Sequence, residues 1–351
     1  MSLHGEFKVR DGKLVAVDAE VADGVVTWAR VYGDFFLEPD DALEGLDAAL
    51  VGLPAGASAA DVASAIVARL DPAVRFIGFT PEAVGIALRR ALGRAVGWDD
   101  LTFDVIGPRV LPPAVHVALD EVIPARVAAG ERRPTLRLWD WDAGVVVIGS
   151  FQSVRNEVDE AAARELGIGI VRRITGGGAM FMEPGNCVTY SLVVPGSLVE
   201  GLSYEQSYAF LDDWVLGALA EVGVRARYVP LNDIATEAGK IGGAAQRRLA
   251  DGTVLHHATM SYDIDAARMM RVLRIGREKL SDKGTPSGAK RVDPMRSQTG
   301  LPREAIMAAL QASFARRFRC VPSDYTAEEL ATAADLVRTK FATPEWTYRV
   351  P

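Results

Sequence analysis

The sequence predicts an α+β protein with two domains. The chain has 351 residues, which is long enough for two hydrophobic cores. Its first part contains β-forming runs separated by the turn pairs Asp11-Gly12 and Asp23-Gly24, and then changes to helical patterns. The later part mixes apolar strand-like runs with longer helical segments. With 49% hydrophobic and 24% charged residues, the composition is that of an ordinary globular protein.

The first domain is predicted over residues 1–95, as a strand meander followed by helices. Strands are expected at 7–10, 13–18 and 25–32. Helices are expected at 39–50, at 58–70 with Ser58 as the capping residue, and at 80–92 with Pro81 at the first helical position. The segment has none of the residue types of a catalytic centre.

The second domain is predicted over residues 105–351. Residues 93–113 are rich in glycine and proline, and this composition predicts that the boundary between the domains lies there. Helices are expected at 114–128, 159–166, 204–222, 304–318 and 327–340, and strands at 136–139, 145–148, 169–174, 187–194, 226–229 and 253–262.

Composition argues against several classes of function. The net charge of −7 is the wrong sign for a general nucleic-acid-binding surface. Two cysteines do not make a disulfide framework. The first residues lack the basic and apolar parts of a signal peptide, and no apolar run reaches the roughly 20 residues that span a bilayer. We therefore expect a cytoplasmic protein without a membrane partner.

A glycine loop is the first candidate for a ligand site. Arg172 and Arg173 precede the run Gly176-Gly-Gly178, and these residue types suit a bound anion. A Walker or Rossmann loop would open a helix, whereas the residues after this loop are β-formers. Taken alone, the loop is more typical of a plain hairpin or bulge.

Lys240 is the candidate for catalysis. Most lysines are solvated surface charges, but this one is surrounded by Gly239, Gly242 and Gly243 at the start of a predicted hairpin. Upstream, Asn232-Asp233 could form a simple turn or could bind a nucleobase, a ribose or magnesium.

The histidines and cysteines do not form a metal-binding pattern. His256 and His257 are adjacent on a predicted strand and must point to opposite faces, so we expect one of them to face the pocket. Cys187 lies within an apolar strand and is expected to pack there.

Several motifs together resemble the lipoate–protein ligases. The family pattern is approximately Arg-Arg-x-Ser/Thr-Gly-Gly-Gly-Ala-Val, then Asn-Asp, then Lys-Ile/Val-Ser-Gly-x-Ala, then His-His-Gly-Thr. The matching segments occur here in the same order, at 172–181, 232–234, 239–247 and 255–259. Segments 138–152, 279–284 and 340–346 also resemble the family, so the resemblance covers about residues 110–351.

The resemblance implies the mixed α/β core shared by lipoate and biotin ligases, and a two-step reaction. Lipoate or octanoate and ATP, with Mg²⁺ as counter-ion, would give acyl-AMP, and the acyl group would pass to a lysine of a lipoyl-domain protein. Such acceptors are the E2 subunits of 2-oxoacid dehydrogenases and the glycine cleavage H protein. Segment 33–39 and the helix after it resemble the family's accessory domain, which usually follows the core or is a separate chain.

The resemblance also assigns roles to residues. Lys240 would be catalytic. The expected ATP contacts are Arg173, Gly176, Gly177, Gly178, Ala179, Met180, Phe181, Asn232, Asp233 and Lys240. The expected lipoate contacts are Arg172, Gly177, Lys240, Gly243 and His256. No resident metal is expected.

The chain departs from the family at four positions. Met182 and Glu183 replace the usual His-Asp, Gly242 replaces serine, and Ala258 replaces glycine. Two alternatives therefore stay open. One is an octanoyl or lipoyl acyltransferase of the same superfamily, which would use a cysteine near Asn232, where none stands. The other is a non-catalytic lipoyl- or nucleotide-binding homologue. A biotin ligase would carry a Gly-Arg-Gly-Arg-type loop, which is absent.

Overall fold

A computed structural model describes residues 3–9, 12–92, 97–200, 202–237, 239–274 and 294–351. The chain forms two compact units. The first unit comprises Met1–Asp100 and Ser197–Ser203, and the second comprises Leu101–Gly196 and Tyr204–Pro351. Segment 197–203 is tied to the first unit by an ion pair of 2.6 Å between Glu200 and Arg89.

The first unit packs helices against a strand meander. Its strands are β1 (Leu3–Lys8), β2 (Leu14–Ala22), β3 (Val25–Gly33), β4 (Phe36–Glu38) and β5 (Arg75–Ile77). Its helices are α1 (Ala42–Leu50), α2 (Ala59–Arg69) and α3 (Pro81–Ala91), followed by a 3₁₀ turn at Trp98–Asp100. Strands β1, β2 and β3 pair antiparallel. The predicted capping box at Ser58 and the proline at the start of α3 are confirmed.

The second unit contains most of the strands. They are β6 (Thr102–Leu111), β7 (Thr135–Trp141), β8 (Val145–Ile148), β9 (Gly169–Arg172), β10 (Met180–Met182), β11 (Cys187–Pro195), β12 (Arg227–Val229), β13 (Asp233–Ala235), β14 (Lys240–Arg248), β15 (Thr253–Ser261) and β16 (Arg319–Ser323).

Helices of the second unit lie between these strands. They are α4 (Pro113–Ala128), α5 (Val154–Glu157), α6 (Glu160–Glu165), α7 (Tyr204–Glu221), α8 (Ala266–Val272), α9 (Met295–Thr299), α10 (Arg303–Arg317), α11 (Ala327–Leu336) and α12 (Pro344–Thr347), with a π turn at Val337–Phe341. A 3₁₀ turn at Gly196–Val199 leads into the segment 197–203 of the first unit. None of the helices in the described residues has the length and apolar character needed to cross a bilayer.

One large mixed sheet organises the second unit. Its strand order is β12-β13-β14-β15-β11-β7-β6-β16, with β6 parallel to both of its neighbours and the other pairs antiparallel. A smaller sheet has the order β10-β8-β9. The predicted α+β class with a mixed-sheet core is therefore confirmed.

The first strand of the second unit lies inside the segment, 93–113, in which the sequence predicts the domain boundary. Residues 102–111 form β6, which pairs with β7 and β16 inside the large sheet. Gly107 and Pro108, two of the residues that favoured a boundary, coincide with an irregularity in the register between Ile106 and Arg109. Such residues are tolerated where the ladder is interrupted.

Candidate active site

A cleft with about 610 Å³ of empty space, open solvent included, lies on one face of the large sheet. Its walls come from the large sheet, from β8 and β10 of the smaller sheet, and from Asn232 just before β13. The loop between β9 and β10, which we call the glycine loop (residues 173–179), completes them. The lining residues are Trp139, Val147, Arg173, Gly178, Ala179, Met180, Met182, Thr189, Asn232, Lys240, Gly243, Ala244, Ala245, His257 and Thr259.

The cavity floor follows a row of cross-strand neighbours. Register pairs Asp233 with Gly243, Gly243 with Thr259, Thr259 with Thr189, and Thr189 with Trp139. Residues paired in this way present their side chains on the same face of the sheet. With neighbouring strands about 4.8 Å apart, the three steps from Gly243 to Trp139 span about 14 Å. The floor is therefore long enough for an extended eight-carbon chain.

The Lys240 ammonium lies at the Gly243 end of this row. Lys240 begins β14, and its Nζ is 2.7 Å from Oδ1 of Asp233. A Cβ at position 243 would lie 3.2 Å from that Nζ, so the glycine leaves room for the ammonium. The Lys240 side chain is one-third exposed, and a ligand in the cavity can reach it.

The structure explains one departure from the family pattern, Gly242, and shows how Asn232 is held. A Cβ at Gly242 would lie 2.4 Å from the carbonyl oxygen of Thr259, so this sheet has no room for the serine common in the family. Asn232 also borders the cavity and is fixed to β14. Its side-chain Nδ2 donates to the Ala244 carbonyl at 2.6 Å, and its main-chain carbonyl accepts from the Ala244 N–H at 2.9 Å.

Arg173 holds the glycine loop from the inside. Its guanidinium is buried and donates to the Thr175 hydroxyl (2.9 Å) and to the carbonyls of Val147 (3.1 Å), Gly176 (2.5 Å) and Gly178 (2.9 Å). These bonds occupy four of its five N–H groups. Burial lowers the pKa of Arg173 to about 10, so the group stays charged at neutral pH.

Only some of the predicted ATP contacts in the glycine loop and β10 line the cavity. Gly178, Ala179 and Met180 line the cavity, whereas Gly176, Gly177 and Phe181 do not. Gly177 has a φ of +87°, a conformation that favours glycine. Phe181 is buried in a separate apolar cluster, where it anchors β10.

A buried chain of hydrogen bonds connects His257 to the glycine loop. His257 Nδ1 is 2.7 Å from Oδ2 of Asp120, and its Nε2 is 2.8 Å from the Thr175 hydroxyl, which accepts from Arg173. These partners fit a neutral imidazole protonated at Nδ1. Burial lowers the pKa of His257 and outweighs the opposing effect of the Asp120 carboxylate.

Asp120 is in turn fixed by an arginine. Arg137 Nη2 donates to its Oδ1 at 2.6 Å, and the Ser191 hydroxyl donates to the same oxygen at 2.7 Å. Burial alone would raise the pKa of Asp120, but the charge of Arg137 and the bonds from Arg137 and His257 lower it to about 2. The carboxylate is therefore ionised and orients His257.

Besides Gly177, two more of the predicted lipoate contacts, His256 and Arg172, do not line the cavity. His256 is on the opposite face of β15 and bonds Asp212 at 2.7 Å, so His257 and not His256 faces the cavity. Arg172 is fully buried, and its guanidinium donates to main-chain carbonyls at Gly149, Gln152 and Thr347. Adjacent positions on a strand face opposite sides, which separates Arg172 from Arg173.

Apolar side chains and two hydroxyls make up the rest of the lining. Thr189 and Thr259 hydroxyls are 3.1 Å apart, and each lies 3.8 Å from the Met182 sulfur. Sequence patterns did not single out Trp139, Val147, Thr189 or Thr259, and they left open which of His256 and His257 faces the pocket. The sequence predicted the strands that carry these residues, but not the register that brings them together in one cavity.

Neither cysteine of the chain lines the cavity. Cys187 and Cys320 are both free, and Cys187 is buried in the apolar core. Burial raises the pKa of Cys187 to about 11, so its thiolate is scarce at neutral pH. Segment 279–284 lies outside the described residues. Within the described residues, no group of three or more His, Cys, Asp or Glu side chains has the arrangement of a metal site.

Comparisons with known proteins identify the family. The model of the lipoyl protein ligase A/B catalytic domain matches residues 112–317. The chain is 30% identical over 269 residues to octanoyltransferase LipM of Kyrpidia tusciae, covering 67% of this chain and 94% of that protein. It is 29% identical over 191 residues to a probable lipoate-protein ligase A of Mycoplasma pneumoniae, covering 54% of each. The chain therefore belongs to the lipoyl protein ligase A/B catalytic-domain family.

Solved structures show the same fold. The bipartite lipoate protein ligase of Thermoplasma acidophilum, studied with its E2 lipoyl domain, is 26% identical with a TM-score of 0.60, over 71% of this chain and 98% of that one. A lipoate-protein ligase A solved with ATP is 23% identical, with a TM-score of 0.61 over 72% of this chain and 100% of that one, and supports the fold alone. The resemblance seen in the sequence is confirmed at the level of family and fold.

Proposed function

We propose that this protein is an ATP-dependent lipoate–protein ligase, which activates lipoate or octanoate as acyl-AMP and transfers the acyl group to a lysine of a lipoyl domain. The observation that carries the proposal is the Lys240 ammonium, held by Asp233 at one end of a cavity floor about 14 Å long. A cation at the end of a trough that is lined by apolar side chains and two threonine hydroxyls fits a fatty-acid carboxylate and the phosphate that it attacks.

The first step joins the acyl carboxylate to ATP. A carboxylate oxygen attacks the α-phosphorus, and the bond from that phosphorus to the oxygen bridging the β-phosphate breaks, which releases pyrophosphate. Negative charge accumulates around the α-phosphate. A positioned ammonium stabilises that charge best when it is already in place, and Asp233 restrains Lys240 before substrate arrives.

The glycine loop supplies the other side of the proposed nucleotide site. Gly178, Ala179 and Met180 border the cavity, so their main chain is accessible to phosphate oxygens. Arg173 and Phe181 are assigned a supporting role, because Arg173 bonds the loop carbonyls and Phe181 anchors β10, while Gly176 and Gly177 contribute the loop backbone. Asn232 and Asp233 complete the nucleotide side. Mg²⁺ would enter with the phosphates as part of the substrate.

The second step transfers the acyl group. The amine of an acceptor lysine attacks the acyl carbon of acyl-AMP, loses a proton, and displaces AMP. The Thermoplasma acidophilum neighbour is described with its E2 lipoyl domain. By analogy we propose lipoyl-domain acceptors, namely E2 subunits and the glycine cleavage H protein. We also propose that residues 1–95 act as an accessory domain that helps to exclude water from the adenylate.

The second candidate is an acyltransferase, because the curated relatives with broad coverage include octanoyltransferases. Transfer through an acyl-enzyme needs an activated nucleophile such as a thiolate. Here both cysteines lie outside the cavity, and burial raises the pKa of each of them. This observation favours the ligase. Met182, in place of the usual histidine, keeps a non-catalytic homologue as a third candidate.

One experiment separates the three candidates. Purified protein is supplied with lipoate, Mg²⁺ and ATP labelled at the α-phosphate, and in parallel with an octanoyl thioester and a lipoyl domain without ATP. The ligase predicts labelled lipoyl-AMP and pyrophosphate in the first mixture and no modification in the second. Modification without ATP would identify an acyltransferase. Binding of lipoate without either product would identify a non-catalytic homologue.

A further inference from the structure

We propose that the C-terminal segment (residues 342–351) is a positioning element that holds the glycine loop in its working conformation. The inference rests on the proposed function in one respect only, namely that the loop binds ATP. The family model ends at residue 317, so this segment lies beyond the matched catalytic domain. The segment nevertheless bonds Arg172 and Ser150, and Ser150 is bonded to Thr175 of the glycine loop.

Arg172 is the first connection. Its Nε and Nη2 donate to the carbonyl of Thr347 at 3.0 and 2.6 Å, and its Nη1 donates to the carbonyls of Gly149 (2.9 Å) and Gln152 (2.6 Å). The side chain is fully buried. One guanidinium therefore fastens the C-terminal segment to the turn at residues 149–152, which follows β8. This role also explains why Arg172 does not face the cavity.

Arg349 is the second connection. Its Nη2 donates to the carbonyl and the hydroxyl of Ser150 at 2.8 and 2.6 Å. Its guanidinium also stacks 4.3 Å from the ring centroid of Trp346. The Trp346 indole N–H donates to the Arg172 carbonyl at 2.9 Å. The segment is therefore hydrogen-bonded both to the turn at 149–152 and to β9, the strand that enters the glycine loop.

The turn at 149–152 is in main-chain contact with the glycine loop. The Ser150 N–H donates to the Thr175 carbonyl at 2.8 Å. A Cβ on Gly149 would lie only 2.2 Å from the Gly177 carbonyl oxygen, so the two backbones touch. Glycines have no side chains with which to anchor themselves. The conformation of the loop therefore depends on these neighbours, and loosening the turn should loosen the loop.

Amide hydrogen exchange tests the connection without reference to any reaction. In full-length Arg349→Gln, the loss of a charged donor to Ser150 should speed exchange at residues 174–179 about tenfold. Exchange in β14, which carries Lys240, should stay unchanged. Arg349→Lys keeps one donor and should fall between Gln and wild type. The control is Arg338→Gln, which removes an exposed arginine paired only with Asp335 among the ion pairs described.

Steady-state kinetics test the consequence. Arg349→Gln should raise the KM for ATP about fivefold to tenfold and leave the KM for lipoate within about twofold, because only the nucleotide side is loosened. Unchanged exchange at 174–179, or an equal rise throughout the second unit, would overturn the inference. Faster exchange confined to residues 174–179, with the KM values for ATP and lipoate both unchanged, would also overturn the inference. If wild type forms no lipoyl-AMP, the proposed function fails, and the exchange pattern alone decides whether the segment positions the loop.

Discussion

Replacement of Lys240 by alanine should abolish most acyl-AMP formation and leave the protein folded. The ammonium is the cationic group at the end of the cavity floor, where it is held by Asp233 at 2.7 Å. Its proposed task is to stabilise charge that develops as the carboxylate attacks the α-phosphate. Such a contact matters more in the transition state than in the ground state.

The expected effect on rate is large. Loss of one preorganised donor to a developing negative charge costs about 3–4 kcal/mol, or about 10²–10³ in rate. The effect on stability is small by comparison. Lys240 is one-third exposed, and an ion pair of that exposure contributes less than about 1 kcal/mol. The melting temperature should therefore fall by no more than about 2–4 °C.

The assay is release of pyrophosphate and appearance of lipoyl-AMP under saturating lipoate and ATP. Lys13→Ala is the matched control, because that lysine is paired with Asp34 in the first unit, far along the chain from the glycine loop. It should match wild type in both rate and melting temperature. Circular dichroism confirms that the Lys240 variant is folded.

A Lys240→Ala rate within a factor of about three of wild type would refute the reasoning, since it corresponds to less than about 0.7 kcal/mol of transition-state stabilisation. The catalytic cation would then be another residue. A rate loss accompanied by a melting temperature more than about 10 °C lower would also refute it, because the lysine would then have a structural role.

Four further outcomes are expected. Arg173→Ala should raise the KM for ATP and also lower the melting temperature, because its guanidinium holds the loop carbonyls; an unchanged melting temperature would contradict that role. Octanoate should compete with lipoate, because burial of its apolar chain contributes roughly 25 cal/mol per Å² of apolar surface. Biotin should not compete, and comparable adenylation of biotin would remove the lipoate assignment. His116 is a buried residue of α4, and burial lowers its pKa from 6.5 to about 3. Because the unfolded chain binds this proton more readily, the free energy of unfolding should fall below pH 6.5 by up to about 1.4 kcal/mol per pH unit. Urea titrations at pH 7 and pH 5 should show a smaller fall in His116→Gln than in wild type. A folded chain that begins at Leu101 should form acyl-AMP more slowly than the full chain, and equal rates would reject the accessory role of residues 1–95.

The sequence predicted those features whose cause lies within a few neighbouring residues. The Ser58 capping box and the proline at the start of α3 depend on local hydrogen bonds and on a fixed φ. The glycine loop between two strands and the hairpin that begins at Lys240 were predicted for the same kind of reason. The order of the motifs was enough to indicate the family.

Register decided which predicted residues meet. The sequence required His256 and His257 to face opposite sides, but it could not say which side held the cavity. Pairing of β15 with β11 and β14 puts His257 beside Ala245 and Ser191, on the cavity face. Register is set by the packing of whole strands, and a slip of one residue would exchange the two histidines.

Long-range contacts decided the roles of the two arginines. Arg172 and Arg173 look equivalent in the sequence, and both suggested an anion. In the fold, Arg172 bonds the Thr347 carbonyl, 175 positions away, whereas Arg173 bonds the loop that it precedes. The strand at 102–111 is a similar case, because its partners β7 and β16 are distant along the chain. The sequence by itself determined the local conformations and the chemical groups of the site. Only the tertiary structure decided which groups share a cavity, because strand pairing and the burial of a guanidinium depend on partners that are remote in sequence.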